Sequence, residues 1–262
     1  MAKILAFNWK LNPQDKKLAD QLFSVYEKQA KNRKNSRVIV CPPLEFLFGL
    51  SQYQSLAKSH HLDFGAQDCF WENLGPFTGE ISALNLKQTG VDYVILGHSE
   101  RRIHLGETDE MINKKIINAI GSGLKPILCI GEGFKIHEKG EETAKKFLKK
   151  QLEVSLKNVS SLSVSQKNQL TITYEPIWTI SNNSGNVADN PSDAAAMIKY
   201  LKEILAIRYS LLNIKVLYGG SVNSKNVAGF LSYNIIDGFL IGRASLDKEE
   251  IKKIIDETEK RG

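Results

Sequence analysis

Residues 126–174 decide the fold. They open on Pro126-Ile-Leu-Cys-Ile130, run through Glu138–Leu156 and close on Leu170-Thr-Ile-Thr-Tyr174. The two outer runs are short and largely apolar, without strict alternation, as in strands buried on both faces. Between them Ala144, Phe147, Leu148 and Leu152 recur at helical spacing and form one apolar stripe. Strand, helix and strand in this order make a parallel unit, because parallel strands need a crossover connection.

The same unit recurs on both sides. Further apolar runs are Lys3–Phe7, Arg37–Cys41, Leu62–Ala66, Val91–Leu96, Ile214–Tyr218 and Gly238–Ile241. The spacing predicts a helix over Pro191–Tyr209, with Ala194, Ile198, Leu201 and Leu205 on one face. Asn190 caps its start, and Pro191 needs no amide donor in the first turn. Ile112, Ile116 and Ala119 predict another over Glu107–Ile120. Shorter helices are expected after Gln14, Pro43, Glu80, Ser224 and Asp247. Eight strand–helix units with no linker-like break predict a closed (β/α)8 barrel, with residues 1–262 as one domain. A doubly wound open sheet is the alternative, and there a glycine-rich nucleotide motif would be expected.

Composition bounds the rest. The 262 residues are 42% hydrophobic and 24% charged, which excludes a disordered or fibrous chain. With 35 Lys and Arg against 29 Asp and Glu, the net charge is +6. The densest basic cluster, Lys145, Lys146, Lys149 and Lys150, falls on a helix pattern and reads as a solvated face. No nucleic-acid partner is expected. Cys41, Cys69 and Cys129 are odd in number and lack CxxC spacing, which suits a reducing compartment. Met1–Pro13 has no signal-peptide core, and no apolar run nears the ~18–20 residues of a membrane span. A soluble, cytoplasmic protein with no membrane partner is expected.

A barrel of this type carries its chemistry at the carboxyl ends of the strands. The first strand leads into Asn8-Trp9-Lys10, where a lysine can meet an anion. The fourth leads into Gly97-His98-Ser99-Glu100, where an imidazole can polarise a carbonyl or move a proton. After the sixth comes Glu175, pinned by Pro176 and suited to a general base. The seventh and eighth lead into Gly219-Gly220-Ser221 and Gly242-Arg243, small turns whose amides can approach a phosphate. Taken singly, these residues leave structural readings open: a surface lysine, a capping histidine, a salt-bridged glutamate, plain tight turns. His60, His61, His104 and His137 have no comparable strand-end context and form no HExxH pattern, so no metal site is expected.

Taken together, the motifs are specific. Asn8-Trp-Lys-Leu-Asn12, Gly65-Ala-Gln67, Phe77-Thr-Gly-Glu80, Leu96-Gly-His-Ser-Glu-Arg-Arg102, Cys129-Ile-Gly-Glu132, Tyr174-Glu-Pro-Ile-Trp178, Tyr218-Gly-Gly-Ser-Val222 and Asp237-Gly-Phe-Leu-Ile-Gly242 span the chain. The sequence resembles the triosephosphate isomerase family, the family of the TIM barrel. The resemblance implies interconversion of dihydroxyacetone phosphate and D-glyceraldehyde 3-phosphate through a cis-enediolate. It implies Glu175 as base, His98 as electrophile and Lys10 as the cation beside the anionic substrate. Asn8 would hold Lys10 and the substrate, and Glu100 would orient Lys10. The amides of Ser181, Ser221, Gly242 and Arg243 would bind phosphate, and no cofactor is called for. It further implies a homodimer through the loop Gln67–Glu80, with Phe70, Trp71 and Phe77 as contacts and Thr78 reaching the other subunit.

The chain departs from the family in its sixth loop. The usual Ala-Ile-Gly-Thr-Gly-Lys tip is replaced by Thr179-Ile-Ser-Asn-Asn-Ser-Gly-Asn186, about two residues longer. Ser181 stands where a glycine amide grips phosphate, and a shifted alignment gives that place to Gly185. Phe7, Asp68 in place of asparagine and Arg243 in place of glycine are smaller departures. The altered lid leaves a second reading, a catalytically weakened barrel that binds sugar phosphates.

Overall fold

The computed structural model describes residues 2–31, 33–51, 61–180 and 190–261. Eight strands pair in parallel, each with the next in sequence, and β8 returns to β1. They are β1 Lys3–Asn8, β2 Ser36–Cys41, β3 Leu62–Ala66, β4 Tyr93–Leu96, β5 Lys125–Ile130, β6 Thr171–Tyr174, β7 Lys215–Tyr218 and β8 Gly238–Ile241. Each lies within two residues of the run read from the sequence. Closure depends on Gly238, at φ +151° opposite Ile4. A Cβ there would stand 1.9 Å from the Ile4 carbonyl oxygen, so no larger residue fits this seam.

The closed sheet has two apolar faces. Ala6, Ile39, Cys41, Tyr93, Ile95, Ile127, Cys129, Leu217 and Leu240 form one buried cluster, the barrel interior. Their strand neighbours, such as Leu5 and Phe7, or Leu128 and Ile130, pack in a larger cluster beneath the helices. The alternation of the pleat sends successive side chains to these two faces, so the strands read as unbroken apolar runs.

The helix Pro191–Tyr209 has the predicted ends. The Asn190 side chain accepts from the Ser192 amide at 3.1 Å, and Ala194, Ile198, Leu201 and Leu205 are buried. The other two long helices start later than the periodicity suggests. One is Asp109–Gly121, capped by Thr108; Glu107 instead turns into a buried ion cluster. The other is Glu141–Ser155, because Gly140 at φ 92° separates it from the short helix Phe134–His137. The helix Ser99–Leu105 was not expected. It is mostly polar, lacks a buried apolar stripe and ends on Gly106 in the left-handed region. Among the described residues no helix is long and apolar enough to cross a membrane.

Candidate active site

One rim of the barrel gathers the strand-end residues. Asn8, Lys10, His98, Glu175, Gly219, Gly220, Ser221, Gly242 and Arg243 line a single cleft. They come from the ends of β1, β4, β6, β7 and β8, so closure of the sheet alone unites them.

Lys10 sits at φ 55°, a conformation sparsely populated by residues with a side chain. Two contacts hold it there. Its amide donates to Asn8 Oδ1 at 3.0 Å, and Gln67 Nε2 donates to its carbonyl at 2.8 Å. Gln67 also reaches the Cys41 carbonyl at 2.9 Å, fixing the first loop to the end of β2. Lys10 Nζ then donates to Glu100 Oε1 at 2.6 Å. Both groups are partly exposed, so the pair adds little stability.

His98 precedes the helix Ser99–Leu105. The amide of Glu100 donates to His98 Nδ1 at 3.3 Å, so that nitrogen carries no proton and Nε2 carries the ring N–H. Nε2 lies 3.2 Å from Glu175 Oε1. The ring thus turns Nε2 toward the carboxylate.

Glu175 is 2% exposed. Its Oε2 accepts from the Ser99 amide at 3.0 Å and its Oε1 from the Ser99 hydroxyl at 2.8 Å. Its own amide donates to the Ile130 carbonyl at 2.7 Å, and the Gly219 amide donates to the Tyr174 carbonyl at 2.7 Å. Glu175 is therefore seated between β5 and β7. Ser99 and Gln67 stood in the quoted motifs but were given no role there. Nothing in their spacing shows which side chain a serine or glutamine will meet across the barrel.

The turns after β7 and β8 are braced from behind. Asn226 Nδ2 donates to the Ser221 carbonyl at 2.8 Å. The amide of Ser245 donates to the Gly242 carbonyl and its hydroxyl to the Asn8 carbonyl, at 2.8 and 3.0 Å. Ser181 and Gly185 lie outside the described residues. Among the described residues no group of three or more His, Cys, Asp or Glu is placed to hold a metal ion.

Beside the site, Lys115 is almost wholly buried between Asp68 and Glu107, and Arg101 Nη2 lies 2.8 Å from Asp68 Oδ2. Burial, aided by Glu107, pushes the Asp68 carboxyl up to about 6, against the pull of Lys115 and Arg101. Its folded-state value exceeds the ordinary 3.8, so folding takes up a proton between those pH values. The favourable contribution is full below the ordinary value and is lost as pH rises through about 6. Relative to Asp68→Asn, the natural chain should therefore lose of order 2 kcal/mol of stability between pH 4 and 7. Urea unfolding of both chains at the two pH values measures this, and parallel pH profiles would contradict it.

The loop Gln67–Glu80 packs partly on itself. Phe70 is buried in its own chain, 4.1 Å from the Trp71 ring and 4.6 Å from the Phe77 ring. Leu74 and Phe77 are the apolar side chains the loop leaves exposed. Phe70 thus holds the loop in shape, because its amide and ring tie it back to Ile81 and its neighbours.

A sequence model described as triosephosphate isomerase matches residues 3–258. A triosephosphate isomerase from Thermoanaerobacter sp. (strain X514) is 38% identical over 258 residues, which are 96% of this chain and 98% of that protein. One from Aquifex aeolicus (strain VF5) is 34% identical over 261 residues, 97% of this chain and 99% of the relative. The crystal structure of triosephosphate isomerase from Bartonella henselae superposes with a TM-score of 0.81 at 28% identity, covering 98% of this chain and 99% of its own. With the match running almost end to end in sequence and in fold, the chain belongs to the triosephosphate isomerase family.

Proposed function

We propose that the chain interconverts dihydroxyacetone phosphate and D-glyceraldehyde 3-phosphate, and that Lys10, His98 and Glu175 carry the reaction. The reading rests on one observation: ammonium, imidazole and carboxylate from three distant strands face one cleft. Glu175 takes the proton from the carbon beside the carbonyl and returns it to the neighbouring carbon. It is shielded from bulk water, which keeps its basicity available for a weak carbon acid. The Nε2–H of His98 donates to the oxygens of the enediolate. A donor already aimed there stabilises the developing charge without reorganisation. Lys10 supplies positive charge to substrate and oxyanion alike, with Asn8 and Glu100 setting its position.

The amides of Ser221, Gly242 and Arg243 bind the phosphate, with Ser181 as a further contact. Phosphate held away from the reacting carbons lets binding energy serve catalysis. The second reading, a weakened binding protein, finds no support among the matched relatives. Residues 1–262 act as one domain. A homodimer forms through the loop Gln67–Glu80, with exposed Leu74 and Phe77 at the contact. Three buried, unpaired thiols favour a cytoplasmic location.

A coupled isomerase assay with 2-phosphoglycolate tests the reading. That compound joins a phosphate to a planar carboxylate resembling the enediolate. Turnover with competitive inhibition is expected. Tight binding without turnover would restore the weakened reading, and neither would overturn both.

A further inference from the structure

We propose that His137 is a positioning residue for the isomerase reaction, acting through Trp178 on the base Glu175. The proposal rests on the assignment of Glu175 as base. His137 showed no strand-end context in the sequence, yet the fold brings its ring onto the segment that bears the base. The imidazole and indole centroids are 3.8 Å apart, with the planes inclined by 22°.

Trp178 is coupled to Glu175 by stiff covalent structure. Pro176 restricts the backbone next to the base. Ile177–Thr179 form a single 3-10 turn, closed by the Thr179 amide on the Pro176 carbonyl at 3.0 Å and by the Thr179 hydroxyl on the same oxygen at 2.8 Å. A displacement of the Trp178 backbone by its side chain's contacts therefore passes through the turn to Glu175.

The opposing loop holds this segment along its edges. The Ile177 amide donates to the Glu132 carbonyl at 3.0 Å. Trp178 Nε1 and Tyr174 Oη both donate to Glu132 Oε1, at 2.9 and 3.0 Å. These bonds hold the indole at its nitrogen edge. His137 supplies the stacked contact on the indole face. It reaches Trp178 because the short helix Phe134–His137 follows directly on the Glu132 turn. One loop, 130–137, thus presents Ile130 to the Glu175 amide, Glu132 to the indole edge and His137 to the indole face.

A stacked aromatic pair of this kind is worth about a three- to tenfold effect when removed. His137 is exposed, so its truncation leaves the core intact. His137→Ala should lower kcat three- to tenfold with KM within about twofold, because the phosphate turns after β7 and β8 are untouched. His137→Phe, which keeps a flat ring, should restore kcat to within about twofold. The effect should vanish when Trp178 is already Phe, since the two residues act in series. Indole emission should shift in His137→Ala, and that shift should disappear in the Trp178→Phe background.

Unchanged kcat in His137→Ala overturns the proposal. So does a loss that His137→Phe fails to restore, or one that adds independently to Trp178→Phe. If Glu175→Gln keeps full activity, the assignment of the base fails instead, and the emission shift still reports whether His137 holds Trp178.

Discussion

Glu175→Gln is expected to lower kcat by about a thousandfold or more, at the upper end of what a general base supplies. The carboxamide keeps the size of the side chain and can still bond Ser99, by accepting from the amide and donating to the hydroxyl. The fold should therefore persist. The amide cannot accept a proton from carbon, and no other carboxylate lines the cleft among the described residues. KM should change only a few-fold, because Ser221, Gly242 and Arg243 stand on other strands. The coupled assay gives both constants. Exchange of the substrate's carbon-bound proton with deuterated solvent should fall in step with kcat. Activity within tenfold of the natural chain would show that another group is the base.

Gly131→Ala is expected to damage the enzyme without touching any group that meets substrate. A Cβ at this position would lie 1.7 Å from the Glu175 carbonyl oxygen and 2.5 Å from its carbonyl carbon. Both are backbone atoms, so no side-chain rotation relieves the clash. The end of β5 must separate from the end of β6, straining the bond from the Glu175 amide to Ile130 and the one from the Gly131 amide to Gln151 Oε1. Overpacking of this kind costs about 1–3 kcal/mol and displaces Glu175. A shift of about 1 Å in a reacting group costs on the order of a hundredfold in rate. Urea unfolding and kcat on the folded enzyme measure the two losses. Gly133→Ala is the control: two residues away, its Cβ meets nothing within 4 Å, and it should behave as the natural chain does.

These two substitutions mark how far the sequence could be read. Glu175 was found from its place after an apolar run and before a proline, a purely local signal. Gly131 lay in a quoted motif, but its need for glycine comes from Glu175, 44 positions later in the chain. The same division runs through the fold. Strand positions were legible because both faces of the sheet are apolar and leave compact runs such as Pro126–Ile130. The helix Pro191–Tyr209 was legible to the residue because its cap and its stripe agree. Ser99–Leu105 was not, because five polar residues with only Ile103 and Leu105 among them, ended by Gly106, carry no periodic signature. Phe70, Trp71 and Phe77 look alike in sequence, and only the folded loop shows that Phe70 packs against the other two rings.

What the sequence determined by itself is the barrel, the strand ends and the residue types at each of them. Local periodicity and backbone preference act over a few neighbours, and that is enough to place a lysine, a histidine and a glutamate at the same rim. Tertiary structure alone decided how those groups are held. The φ of Lys10 answers to Gln67, the carboxylate of Glu175 to Ser99, and the indole of Trp178 to Glu132 and His137. Such contacts join residues dozens of positions apart, and their directions are set only when the sheet closes and packing fixes each rotamer.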